Sequence, residues 1–197
     1  MRQIIFDLET KQIFTDVGGY YPEKLGVSFL GAIERLGLPE AGPVTETRHQ
    51  FFESDLSHFF PLLNQADLIV GYNLLGFDLP ALSVYGQLDL DTLPILDLFL
   101  EIKNQAGRRV SLDAVASQTL GVHKSGVGLD AIKYYQQSDL ASLAAYCLKD
   151  VEITRDLYDF GRRHGYVKFL NHWNNPVELP VNFNFSPRSN GTQLSLV

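Results

Sequence analysis

Four carboxylates stand at spacings that favour one kind of chemistry. They are Asp7 and Glu9 in IIFDLET, Asp78 in GYNLLGFDLPAL and Asp150 in YCLKDVEIT, with Tyr146 one helical turn before the last. Asp7 and Glu9 are two apart in an extended run, so their side chains share a face. Tyr146 and Asp150 are four apart in a helical pattern and share another. Each group has an ordinary explanation on its own. Asp-x-Glu suits a solvated strand end, an Asp before Leu-Pro suits a helix cap, and Tyr-x-x-x-Asp suits a core tyrosine beside a surface aspartate. Brought together on apolar elements, the carboxylates could not all stay ionised without positive charge among them. Divalent metal is the usual remedy. Two ions about 4 Å apart can clamp the attacking and leaving oxygens of a phosphoryl transfer. All-oxygen donors favour Mg²⁺ or Mn²⁺ over zinc, and the five histidines show no metal-ligand spacing.

The elements that must position these groups follow from apolar periodicity and turn residues. Residues 3–8 are a short β-branched and aromatic run, expected to be a buried strand. Gly18, Gly19 and Pro22 mark 11–24 as a loop, and strands are expected at 26–34 and 46–52. Ser54 is placed as the cap of a helix running to Gln65. Strands at 67–72 and 94–99 flank a helix from Pro80 to Tyr85, and a polar loop spans 104–109. Ser111 opens a helix to Leu120 that Gly121 ends. The longest periodic stretch, Asp139 to Arg163, carries Leu140, Leu143, Ala144, Cys147, Val151, Leu157 and Tyr158 on one face. Strands interleaved with helices predict an α/β fold with a mixed sheet. The expected division is a domain over 1–164 and an extension over 165–197 with one strand (177–183) and a mobile end.

The bulk composition describes an ordinary globular chain of 197 residues, 45% apolar and 20% charged. A net charge of −7 argues against binding through a broadly basic surface, although carboxylates that hold metal count as negative while still attracting phosphate. Cys147 is the single cysteine, which excludes an internal disulfide and fits a reducing compartment. An apolar run three residues after Met1 leaves no room for a signal peptide, and no stretch has membrane-span length. A cytoplasmic protein with no membrane partner is expected.

Taken together, Asp7-x-Glu9, then Asn73-x-x-x-Phe77-Asp78, then Tyr146-x-x-x-Asp150 resemble the DEDD superfamily of 3′–5′ exonucleases. The tyrosine marks the DEDDy subgroup, since the position where the histidine subgroup has its His is Ala145. The resemblance covers roughly residues 2–160. Residues 111–121 and 146–158 look like proofreading domains of family B polymerases, and closer still like stand-alone or helicase-associated relatives. It implies a ribonuclease H-like fold of a mixed sheet flanked by helices, and two divalent cations, Mg²⁺ or Mn²⁺. On the family pattern Asp7 bridges both ions, Glu9 and Asp150 hold the one on the nucleophile side, and Asp78 completes the other. Tyr146 is a poor base, with a free pKa of about 10, and is expected to orient the attacking water.

The substrate this implies is single-stranded DNA or RNA with a free 3′ end, cut to nucleoside 5′-monophosphates. A helicase or polymerase partner is in keeping with it, and so are proofreading, repair and RNA turnover. Thr10, Asn73, Phe77 and Lys124 are candidate substrate contacts, although Asn73 is also a good turn residue and Phe77 a good core residue. Three basic groups could track phosphates: Lys103, Arg108 and Arg109; His123 and Lys124; and Arg162, Arg163, His164 and Lys168. Each also suits a solvated loop or a helix end. Asp97 matches a recurring family position and equally suits structural burial. No P-loop, dinucleotide-binding glycine pattern or Gly-x-Ser-x-Gly elbow is present. Three rivals remain: a ribonuclease H-like endonuclease, a catalytically weak nucleic-acid-binding module of the same fold, and a sugar hydrolase using the carboxylates as an acid/base pair.

Overall fold

The computed structural model describes residues 1–39, 41–123, 126 and 128–184. Its frame is a five-stranded mixed sheet in the order β3-β2-β1-β4-β5. Strands β1 (Arg2–Thr10), β2 (Val27–Leu36) and β3 (Thr45–Phe52) form an antiparallel meander. On the other side of β1, β4 (Leu68–Gly71) and β5 (Ile95–Asp97) run parallel to it. Helices α1 (Phe60–Asn64), α2 (Asp78–Leu82), α3 (Leu98–Ala106), α4 (Leu112–Thr119), α5 (Gly128–Gln136) and α6 (Leu140–His164) flank the sheet. This is the expected ribonuclease H-like α/β architecture.

The period-two alternation of β1 divides the core in two. Ile4, Phe6 and Leu8 pack with Leu30, Phe59, Leu63 and Leu79 on one face. Ile5 packs with Ile33, Val115, Val151 and Leu157 on the other, under α4 and α6. Asp7 and Glu9 share parity with Ile5, so both side chains point to the α6 face.

Several boundaries differ from expectation for local reasons. Residues 54–65 are not one helix capped by Ser54. A 3₁₀ stretch, Glu53–His58, precedes the short α1. Pro61 has no N–H for a continuous α-helical ladder, and its ring would clash with the carbonyl of residue 57. The helix expected from Pro80 to Tyr85 begins at Asp78 and ends at Leu82. Strand β5 ends at Asp97 because its carboxylate accepts the N–H groups of Phe99 and Leu100 and starts α3. That helix takes up the start of the expected 104–109 loop and closes on Gly107 at φ +67°. Helix α5 was not anticipated.

Beyond α6, two strands form a hairpin where one was expected: β6 (Tyr166–Leu170) and β7 (Pro176–Pro180). Val167, Phe169, Leu179, Val181 and Phe183 join the core under α4 and α6. The Phe183 ring fills the space over Gly161, where a Cβ would lie 2.2 Å from it. The expected mobile end lies outside the described residues from 185 onward. Among the described residues, no helix is long and apolar enough to cross a membrane.

Candidate active site

Strands β1, β4 and β5 run parallel, and the candidate residues gather toward their carboxyl ends, where open α/β sheets place their ligand crevice. Strand β1 pairs with β4 only through Ile5 and Val70 and then runs on. Its exposed backbone edge beyond that point is met by Asp78, whose Oδ1 accepts the Leu8 N–H at 3.1 Å. Asp78 is thus fixed beside Asp7 from the β4 side, at the start of α2 and only 2% exposed. Burial, and then the Asp7 charge, hold the Asp78 carboxyl well above the usual aspartate range.

From the other side comes α6. Asp139 caps it by accepting the Ser142 N–H, and its buried stripe includes Leu143, Tyr146, Cys147, Asp150 and Val151. Asp7 faces Gly31 across the β1–β2 ladder. A Cβ at Gly31 would lie 3.1 Å from Leu148 Cδ2 and 3.3 Å from Cys147 Sγ. The bare backbone there lets α6 sit close to the sheet. Tyr146 and Asp150 consequently line one cleft with Asp7, Glu9 and Thr10.

Cys147 was not among the anticipated site residues, although its place on the apolar face of α6 was. Its thiol donates to the Asp7 carbonyl at 3.3 Å. Its sulfur and the carboxylates of Asp7 and Glu9 offer ligand atoms within 4.8 Å of one another. Burial, and then the charges of Asp7 and Glu9, push the thiol pKa well up. Sulfur is a soft donor and carboxylate oxygen a hard one, so a hard divalent cation at this cluster would be held by Asp7 and Glu9 in preference to Cys147.

Two clefts meet at Asp7. The first, about 430 Å³, has a floor of Asp7, Glu9, Tyr146 and Asp150. Its walls are apolar and include Phe14, Phe77, Leu129 and Ile132. The Phe77 ring meets Phe14 edge-on at 5.9 Å, and Tyr20 stacks on Phe14 at 4.5 Å. Phe77 is therefore half-buried, packed against the core on one side and lining the cleft on the other. The Thr10 hydroxyl donates to the Gln12 carbonyl, which ties it into the turn that leaves β1. The second cleft, about 470 Å³, is lined by Asp7, Tyr72, Asn73, Phe99, Arg109 and the start of α4.

Asn73 occupies the left-handed region at φ +75°, as its turn role suggested. Asp97 holds that turn: it accepts the Asn73 N–H at 2.8 Å and the Leu75 N–H at 3.0 Å, besides capping α3. With both carboxylate oxygens engaged by backbone, Asp97 has a structural role. Lys124 lies outside the described residues. The basic group at the end of α6 is remote, since Arg162 follows Asp150 by twelve residues on one helix, about 18 Å along its axis. Lys168 pairs with Glu178, and Arg108 donates to the Leu170 carbonyl. Among the described residues of these groups, Arg109 alone lines a cleft that contains Asp7.

The fold and the clustered acidic groups define the class. A sequence profile described as the RNase H superfamily matches residues 4–160, and the chain belongs to that superfamily. Such membership suggests a nuclease acting on nucleic acid, and nucleases of this kind typically use divalent metal. No curated protein matches the chain.

Proposed function

We propose that the protein is a metal-dependent 3′–5′ exonuclease of the DEDDy type, acting on single-stranded nucleic acid and releasing nucleoside 5′-monophosphates. One observation carries this reading: Asp7 joins a floor shared with Glu9, Tyr146 and Asp150, while Asp78 is buried against it from behind. A buried carboxyl next to another carboxylate is costly without a cation. The donor set is hard oxygen throughout, which fits Mg²⁺ or Mn²⁺. Asp7, Glu9, Asp78 and Asp150 would hold the ions. When bound, these would supply charge neutralisation for the phosphodiester and activation of the attacking water.

The chain's own groups do the rest. The apolar walls of the first cleft exclude water around a terminal nucleoside and fit the flat faces of a base and sugar. Tyr146 stands one turn from Asp150 on a rigid helix and aims the attacking water by hydrogen bonding. Thr10 lines the end of the same cleft, where the terminal sugar would lie.

The test is digestion of a 5′-labelled single strand in Mn²⁺, as DNA and RNA in parallel, with EDTA and Asp7→Ala controls. The expected result is a ladder that shortens from the 3′ end and disappears in both controls. Asp7→Ala should remain folded, because losing one carboxylate relieves repulsion in the metal-free protein. Cleavage of a circular strand would replace the exonuclease with an endonuclease. Intact strands bound in Ca²⁺ would replace it with a binding module.

A further inference from the structure

The described linings of the two clefts that meet at Asp7 differ in their basic residues. Arg109 is the only lysine or arginine among the described residues that line either one. It is exposed and has no carboxylate partner among the described residues. Its guanidinium lies over the Phe99 ring, 4.7 Å from the centroid. That contact directs the cation without neutralising it. The backbone that carries it is anchored as well, since the Tyr72 hydroxyl donates to the Val110 carbonyl at 2.8 Å. Tyr72 in turn packs against Phe99, with ring centroids 5.8 Å apart. The second cleft therefore presents a fixed, unneutralised cation beside two aromatic rings and a carboxylate of the proposed metal site.

Strand chemistry decides what such an asymmetry recognises. At a 3′ end, the terminal nucleoside carries one phosphate, the one being cut, and its other end is a hydroxyl. A pocket for it needs no further cation, and the first cleft has none among its described lining residues. Every nucleotide on the 5′ side brings one more phosphate. We propose that the second cleft binds the phosphate one nucleotide 5′ of the scissile bond, with Arg109 as its ligand and Phe99 and Tyr72 as the wall beside its sugar and base. This rests on the exonuclease reading and gives it a direction: the strand enters over Arg109, and the terminal nucleoside lies beyond Asp7. A guanidinium suits the role because it donates two parallel N–H groups to phosphate oxygens.

The test compares two minimal substrates, a thymidine dinucleotide with and without a 5′-phosphate, and their uridine counterparts. Only the phosphorylated form has the additional phosphate. Wild type should prefer it by about tenfold in kcat/KM, and should bind it more tightly in Ca²⁺, read by calorimetry without turnover. Arg109→Ala should bring both ratios close to one, and Arg109→Lys should retain part of each. Because Arg109 is exposed, both variants should melt like wild type. Ratios in Arg109→Ala equal to those of wild type would overturn the assignment, as would a wild type indifferent to the 5′-phosphate. A wild type that cuts neither substrate overturns the exonuclease reading instead, and the binding ratio in Ca²⁺ then decides the phosphate site by itself.

Discussion

Asp7 and Gly31 face each other across the β1–β2 ladder, and the side chain missing from Gly31 is what lets α6 close over Asp7. Neighbouring positions on that face of β1 and β2, Ile5 and Ile33, are filled by branched side chains. The bare position coincides with the helical turn from Tyr146 to Asp150. The spacing of the site is therefore set partly by a residue with no chemistry of its own.

Gly31→Ala should separate α6 from the sheet by a few tenths of an ångström. A loss of about 1 kcal/mol in stability is expected, with about a tenfold fall in turnover from misplacement. Gly31→Val should be worse on both counts. Thermal melts and single-turnover kinetics check this. Lower stability with unchanged turnover would show that the seating of α6 does not tune the site.

Asp78→Asn should reverse the usual effect of mutating a buried residue in metal-free protein. The Leu8 N–H keeps an oxygen acceptor, while the buried charge disappears. The folded state holds the Asp78 proton more tightly than the unfolded chain does, because its pKa is raised from the ordinary 3.8. The stability linked to that proton is fully present below pH 3.8 and is lost as pH rises through the folded value. In EDTA, the variant should thus match wild type in acid and exceed it increasingly toward neutral pH. Adding Mn²⁺ should stabilise wild type more than the variant. A variant less stable than wild type at pH 7 in EDTA would contradict the burial argument.

Tyr146→Phe should separate aiming from binding. Turnover is expected to fall about 10–100-fold, the usual cost of losing a group that orients a ligand. Oligonucleotide affinity in Ca²⁺ should stay within about twofold. An unchanged turnover number would remove the tyrosine from the mechanism.

Asn73 offers a comparison of backbone and side chain. Asn73→Gly preserves the φ of +75°, whereas Asn73→Ala strains it, by roughly 1–2 kcal/mol. Only the alanine variant should melt lower. Both should raise KM several-fold, because the side chain lines the second cleft. A glycine variant with the KM of wild type would leave Asn73 a turn residue alone.

Much of the site was legible in the order of residues because its parts are local. A strand places Asp7 and Glu9 on one face by its period of two. A helix places Tyr146 and Asp150 on one face by its pitch. The strand-turn-helix of 68–82 was legible because Asn73 and Pro80 punctuate it. Each depends on neighbours within a few residues, so sequence spacing is enough. A glycine inside the strand pattern, Gly31, is also a sequence signal of close backbone approach, which α6 makes here.

What the sequence alone determined is the set of chemical groups and the face each occupies on its own element. It also determined the mixed α/β class, through alternating periodicities. Tertiary structure decided which faces meet. It separated Asp97, saturated by backbone N–H groups, from the acidic site. It set Phe77 against the core and on a cleft wall at once, and singled out Arg109 among the described basic residues. Those outcomes depend on contacts between residues far apart in the chain, such as Asp97 with Asn73 and Gly31 with Cys147. Local spacing carries no information about which distant groups will satisfy a buried carboxylate or leave a cation unneutralised, because that depends on how the packed elements exclude water.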